Sequence, residues 1–154
     1  MCYTQYVQKY KKERSANMAN IVSFVVCDAI NNVFPNGEKS VPALVAPQIA
    51  LRPQFIPSSF SFGAAVGVAG IDLKIENKIR MTISDPEANI IYTLGENGLP
   101  RISVEDTMPQ AFQGFMLAID IRNLPIQSEG EYEFSLYLND ECIGVQKIPV
   151  FKRA

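Results

Sequence analysis

The fold is decided by residues 128–138, which read SEGEYEFSLYL. From position 132 every second residue is large and apolar: Tyr132, Phe134, Leu136 and Leu138. The residues that alternate with them are Glu131, Glu133, Ser135 and Tyr137. Such a period of two is typical of a β-strand that packs one face on a core and turns the other to solvent. The stretch therefore predicts a half-buried strand that begins after Gly130.

The same period recurs through most of the chain. It predicts one strand whose even-numbered residues from Phe60 to Val68 share a face. It also predicts two strands whose odd-numbered residues, from Ile79 to Ile83 and from Phe115 to Ile121, point inward, with Thr82 outward. Residues 21–27 (IVSFVVC) predict a strand buried on both faces, followed by a loop at Asn31-Asn32 and Pro35-Asn36-Gly37. Residues 95–110 are expected to form the longest connection. About eight strands and no long helical pattern predict an all-β fold, a single antiparallel β-sandwich.

Residues 128–134 resemble the tyrosine corner of immunoglobulin-like domains, with Gly130 and Tyr132 in the characteristic positions. In such domains the tyrosine hydroxyl bonds to nearby backbone and closes the corner before the penultimate strand. Phe134 would stand where antibody domains have a core cysteine, and the chain has no tryptophan, so only the general sandwich is implied. Residues 83–86 (ISDP) resemble a strand and turn of bacterial immunoglobulin-like and C2-like sandwiches. The expected fold is therefore immunoglobulin-like or C2-like.

The order of these features resembles a family of small bacterial β-sandwich proteins of unknown function. It runs from Val25-Val26-Cys27-Asp28 through a proline-rich segment and the Phe60-Ser61-Phe62 strand to Gly130-Glu131-Tyr132, within residues 20–150. The resemblance implies a fold and no site residues.

Two parts of the chain differ in charge. Residues 1–17 hold four basic residues and one acid, whereas residues 18–154 hold 10 basic and 15 acidic residues. We expect residues 1–17 to be a basic N-terminal tail and residues 18–154 to be the β-sandwich domain. The tail is either a frayed end or an arm that contacts a partner. A third interpretation takes Met18 as the true start.

The cysteines and the apolar segments favour a cytoplasmic protein. Cys2, Cys27 and Cys142 contain no CxxC motif, and their odd number leaves at least one thiol free in a monomer. A Cys27–Cys142 bridge is possible if the first and last strands are neighbours, but a reducing compartment is the better fit. No signal peptide or membrane span is evident, because the most apolar window covers 12 residues, 60–71.

Composition removes several kinds of chemistry. The chain has no histidine, so histidine-based catalysis and histidine-containing metal sites are excluded. Its net charge of −2 makes a nucleic-acid partner a poor expectation. We found no phosphate-binding loop, nucleophile motif or calcium loop, and therefore expect no cofactor and no metal. Asp85, Glu87 and Asn89 are interpreted as turn formers.

A carboxylate-based enzyme is kept as an alternative. It would use Asp28, at the end of an apolar strand, or Asp120, inside one. For Asp120 the preferred interpretation is a charge at a sheet edge, and the alternative is a polar site. Glu131 and Glu133 share the face opposite Tyr132 and are expected to be solvated.

The strongest compositional feature is a stretch with almost no charge. Residues 40–71 contain one charged residue, Arg52, and four of the 10 prolines. Such a segment either covers a sheet face or meets another chain. As a possible interaction surface we select Pro42, Pro47, Arg52, Pro53 and Pro57.

The sequence therefore predicts a non-enzymatic cytoplasmic module for protein binding or assembly. We expect it to bind a protein partner or to self-associate, and we expect it to bind neither nucleic acid nor a membrane. A phage- or prophage-derived structural subunit is the first alternative, and the carboxylate-based enzyme is the second.

Overall fold

The structure, a computed structural model, describes residues 19–37, 39–99 and 109–154, with the side chains of residues 96–99 outside that description. The basic tail expected at residues 1–17, and Met18, lie outside the described residues. Within these limits the chain forms eight strands. They are β1 (Asn20–Val33), β2 (Val41–Gln48), β3 (Ser58–Ala69), β4 (Asn77–Ser84), β5 (Ile90–Leu99), β6 (Gly114–Ile126), β7 (Gly130–Leu138) and β8 (Glu141–Val150).

The strands form two antiparallel sheets of four strands each. Sheet A has the order β2-β1-β3-β6, and sheet B has the order β5-β4-β7-β8. The only helical segments in the described ranges are two short 3-10 turns, Pro35–Gly37 and Gln110–Phe112. The prediction of an all-β antiparallel sandwich of about eight strands is confirmed.

The strand order is that of an immunoglobulin-like sandwich. In such domains the second and fifth strands pair in one sheet, while the third, sixth and seventh form the other. When β1 and β2 together are counted as the first strand, β3 and β6 take the places of the second and fifth strands and pair in sheet A. In the same count β4, β7 and β8 take the places of the third, sixth and seventh strands and are neighbours in sheet B. The element that follows the corner in immunoglobulin-like domains corresponds to β7, which begins at Gly130.

The tyrosine of the corner has the geometry that this motif requires. The Tyr132 side chain is 1% exposed, and its hydroxyl donates a hydrogen bond of 2.8 Å to the Ser128 carbonyl oxygen. Gly130 has a φ of +140°, a backbone conformation that disfavours a side chain, and a Cβ there would lie 2.8 Å from Pro86 Cγ. The corner therefore closes the entrance of β7, which lies close to Pro86 in the turn after β4.

The core lies between the two sheets, where the inward residues of both alternate. Phe62, Val66, Met81, Phe134 and Leu136 are among its buried members. Thr82 faces away from this core, because it alternates with Met81 and Ile83, although it is buried between the strands that flank β4. One expectation about the strand faces was wrong. Residues 21–27 are not buried on both faces, since Val22 is 59% exposed on the open side of sheet A.

Two predicted loops contain more strand than expected. β1 continues through Asn31 and Asn32 to Val33, and the connection to β2 begins after it with a short 3-10 turn at Pro35–Gly37, where Asn36 adopts a positive φ of 59°. β5 extends through residues 95–99, which pair with β4 as far as Asn77↔Leu99. In both places backbone pairing with a neighbouring strand outweighs the turn preference of the asparagine and glycine residues.

The Asp85 turn forms as interpreted from the sequence. The Asp85 side-chain oxygen Oδ1 accepts hydrogen bonds from the backbone N–H groups of Glu87 and Asn89. This is the local bonding by which aspartate stabilises a turn.

The cysteines do not pair as one interpretation allowed. Cys27 is a buried free thiol, whereas Cys142 is disulfide-bonded, so a Cys27–Cys142 bridge is excluded. Burial raises the pKa of the Cys27 thiol above its ordinary value of 9.0. None of the helical segments in the described ranges is long and apolar enough to span a membrane.

Candidate functional site

The first two strands project from the sandwich as a two-stranded ribbon. β1 pairs with β3 only as far as Cys27↔Gly63, whereas its pairing with β2 continues to Val33↔Val41. Six residues of β1 lie beyond that point, a length of about 20 Å at the usual rise per residue. We call residues 28–37 and 39–47 the ribbon.

The root of the ribbon is held at Gly63. A Cβ built on this glycine would lie 2.8 Å from Cys27 Sγ and 2.8 Å from Ile30 Cγ1. The two side chains therefore occupy the space above Gly63, and only a residue without a side chain permits this close approach. This packing explains why Cys27 is buried although it is absent from the core between the sheets.

Beyond its root the ribbon exposes large apolar side chains. Phe34, at the turn, is 63% exposed, and Val33, Val41 and Val45 are also exposed. Val33 lies directly opposite Val41 in the register, so these two side chains share a face. Their exposure shows that no other described part of the chain covers this face, and a two-stranded ribbon is only marginally stable in water by itself. The ribbon is thus an apolar surface available to another molecule.

After the ribbon the chain passes from sheet A to sheet B through residues 48–53, which we call the crossing. Gln48 still pairs with Val26 of sheet A, and Leu51 pairs in parallel with Val150 of sheet B. The Leu51 N–H donates to the Pro149 carbonyl oxygen at 2.8 Å. Leu51 is buried in the core, whereas its neighbour Ile49 is 94% exposed. Leu51 therefore anchors the crossing to the core, whereas the Ile49 side chain is exposed to solvent.

Arg52 fixes the C-terminal segment to this crossing. Its Nε donates to the Phe151 carbonyl oxygen at 3.1 Å and its Nη2 to the Lys152 carbonyl oxygen at 3.4 Å. The Arg153 N–H donates to the Pro53 carbonyl oxygen at 2.9 Å. Three cationic residues, Arg52, Lys152 and Arg153, consequently lie together on a domain that is acidic as a whole.

The structure separates the residues selected from the sequence. Pro42 and Pro47 are exposed on the ribbon, Arg52 is exposed on the crossing, and Pro57 is exposed just before β3. Pro53 is buried, so its ring cannot contribute to an exposed surface. The low-charge stretch likewise divides, because β3 supplies core residues while the ribbon and the crossing are largely exposed.

The crossing borders two cavities that share lining residues. The first, of about 410 Å³, lies between β1, the crossing and β8, and is lined by residues 24–26, 47–49 and 146–149. The second, of about 580 Å³, is open to solvent and is lined by the shared residues 47–49 and by Ala50, Arg52 and Arg153. We call the two cavities together the groove.

The carboxylates of the alternative enzyme do not meet in this groove. Asp28 and Asp120 are both exposed, and neither lines either cavity. Asp28 accepts a hydrogen bond from Gln48 Nε2, which ties the ribbon root to the crossing. Among residues 19–37, 39–99 and 109–154, no group of three or more acidic or cysteine side chains is placed to hold a metal ion.

Several exposed residues of this region were missed by the sequence reasoning. Phe34, Ile49 and Phe55 are all more than half exposed, and Phe151 is 45% exposed. The asparagines and glycine around Phe34 suggested a loop rather than a projecting ribbon. For Ile49 and Phe55 a signal was present, because apolar residues are spread through residues 40–57 without the alternation of a half-buried strand.

The comparisons with known proteins found similar solved structures but no family. No protein family matches the chain, and no curated protein matches it. A crystal structure of an immunoglobulin-like protein from Pseudomonas aeruginosa aligns with a TM-score of 0.42 and 11% sequence identity. The alignment covers 86% of this chain and 96% of that one.

Proposed function

We propose that this protein is a non-enzymatic protein-binding or assembly module and that the ribbon contacts its partner. The observation that supports the proposal is the exposed apolar surface of Val33, Phe34 and Val41 on a projecting pair of strands. Covering the remaining exposed part of Phe34 would contribute about 1–2 kcal/mol to binding. Micromolar affinity corresponds to about 8 kcal/mol, so a partner must also cover Val33, Val41 and further surface around Phe34.

The experiment is affinity capture from the source organism, quantified by mass spectrometry. Phe34→Ser removes the largest apolar side chain of the ribbon, and Phe112→Ser is its matched control. Phe112 is 75% exposed, and it precedes β6 at the end of sheet A opposite the ribbon, since Gly114 pairs with Ala69 and Ala69 with Asn20.

The proposal expects a protein that the natural chain and Phe112→Ser both enrich and that Phe34→Ser does not. Equal enrichment by all three chains would contradict it. The phage- or prophage-derived structural subunit predicted as an alternative would present the same ribbon to a second copy. Light scattering separates these roles, because a closed ring or array has a mass far above that of one chain.

The cytoplasmic location belongs to this proposal, although a disulfide at Cys142 is typical of an oxidising compartment. Alkylation of thiols inside the source cells, followed by mass spectrometry, tests the location. The proposal expects the disulfide that Cys142 forms in the structure to be reduced in the cytoplasm, so that Cys142 is alkylated directly. A Cys142 that becomes reactive only after reduction would assign the protein to an oxidising compartment.

A further inference from the structure

We infer that the groove binds an extended peptide segment that carries a large apolar side chain next to acidic residues. This inference deepens the proposed function, on which it rests, because it states the chemistry of the partner. It is carried by the shape of the groove, by its apolar lining and by the sign of the charges that surround it.

The shape suits an extended chain. β8 is the last strand of sheet B, and residues 51–53 run beside its C-terminal end. Gln48 still pairs with sheet A, and the chain reaches β8 only at Leu51. Before Leu51 a space therefore lies open between residues 146–149 of β8 and residues 24–26 of β1. Peptides commonly bind along such sheet edges in an extended conformation, with alternate side chains entering pockets.

The lining selects an apolar side chain. Phe24, Val26, Ile148 and Pro149 border the first cavity, and its volume of about 410 Å³ accommodates a large side chain with its neighbours. Ile49, at 94% exposure, stands at the boundary shared by the two cavities. A bound apolar residue would cover Ile49 and remove this exposed surface from water.

The charges select an acidic neighbour. The residues that line the second cavity include two arginines, Arg52 and Arg153, and no aspartate or glutamate. Lys147 lines the first cavity, and its Nζ lies 3.1 Å from Glu131 Oε2. Two acids near this end already have partners: Asp28 is bonded to Gln48, and Glu129 Oε2 accepts from the Lys152 N–H. Arg153 and the exposed edge of Arg52 are therefore the groups that an incoming carboxylate would meet.

The test uses synthetic peptides and the isotope-labelled full chain in solution NMR. The first probe alternates leucine with glutamate, the second alternates leucine with lysine, and the third alternates serine with glutamate. The inference expects the leucine–glutamate peptide to shift the amide signals of Gln48, Ile49, Gln146 and Ile148. The other two peptides should leave those signals unchanged at the same concentration.

Two variants refine the result. Arg153→Glu reverses an exposed charge beside the second cavity and should weaken binding of the leucine–glutamate peptide about fivefold, by the usual strength of exposed ion pairs. Arg122→Glu makes the same change on β6, which does not border the groove, and should leave the affinity unaltered. Added salt should weaken binding to the natural chain, because it screens exposed charges.

Several outcomes would overturn the inference. These are equal binding of the leucine–lysine peptide, shifts confined to residues away from the groove, and no binding at millimolar peptide. A dimer that buries the groove without peptide would assign it to a second copy instead. If the peptides fail while Phe34→Ser still loses its cellular partner, the groove inference fails and the proposed function stands. If the peptides bind and Phe34→Ser retains every partner, the proposed function fails instead.

Discussion

Replacing Tyr132 with phenylalanine isolates the hydrogen bond that closes the tyrosine corner. The change keeps the ring, which is 1% exposed among the core side chains, and removes only the hydroxyl that donates to the Ser128 carbonyl oxygen at 2.8 Å. Ser128 is itself exposed, so water can reach its freed carbonyl group. The expected loss is therefore about 1 kcal/mol, the net value of one hydrogen bond, rather than the ~3 kcal/mol of a buried orphaned group.

Urea unfolding measures this loss directly. About 1 kcal/mol corresponds to a midpoint lower by roughly 0.5 M urea, and to a melting temperature lower by about 2–4 °C for a chain of this size. Tyr137→Phe is the matched control. Tyr137 lies on the same strand but faces outward, where the Arg80 guanidinium carbon lies 3.9 Å from its ring centroid. This contact survives the substitution, so the control should change stability by less than about 0.5 kcal/mol. Equal losses in the two variants would refute the assigned orientation of β7.

Three further predictions concern the corner, the crossing and the buried thiol. Gly130→Ala should cost about 1–3 kcal/mol by denaturant unfolding, because it places a side chain at a φ of +140° and against Pro86; an unchanged midpoint would contradict the backbone conformation. Leu51→Ala should cost about 2–5 kcal/mol because Leu51 is in the core, whereas Ile49→Ala should cost less than about 0.5 kcal/mol; the reverse order would show that the crossing is misplaced. Because burial raises the pKa of Cys27 above 9.0, its stabilising contribution is present below pH 9.0 and is lost as the pH rises through the folded-state value. Cys27→Ala should therefore reduce the loss of stability in alkaline solution, and an identical pH profile would show that the thiol ionises equally in both states.

The sandwich could be predicted because its inner faces leave a periodic pattern. In β7 and β4 one face is core and the other is not, so the alternation of Tyr132, Phe134 and Leu136, or of Ile79, Met81 and Ile83, appears directly in the sequence. The tyrosine corner adds a local constraint through Gly130 and Ser128. Such features depend on neighbours in the chain or on a single buried face.

The ribbon could not be predicted, because its length depends on pairing between distant residues. Asn31 and Asn32 favour a turn locally, yet β2 pairs with both positions through Ala43 and Pro42. The groove could be predicted even less from the local sequence pattern. It exists because the crossing leaves sheet A at Gln48 and joins sheet B at Leu51, next to a C-terminal segment about 100 residues later in the chain.

Photo-crosslinking in the source cells tests the role of the ribbon most directly. A photoreactive phenylalanine analogue at position 34 places the reactive group on the ribbon, and the same analogue at position 112 is the control at the far end of sheet A. The account predicts a discrete crosslinked protein from position 34 and none from position 112. Crosslinks from position 112 alone, or no crosslink from position 34 under conditions that crosslink known complexes, would contradict it.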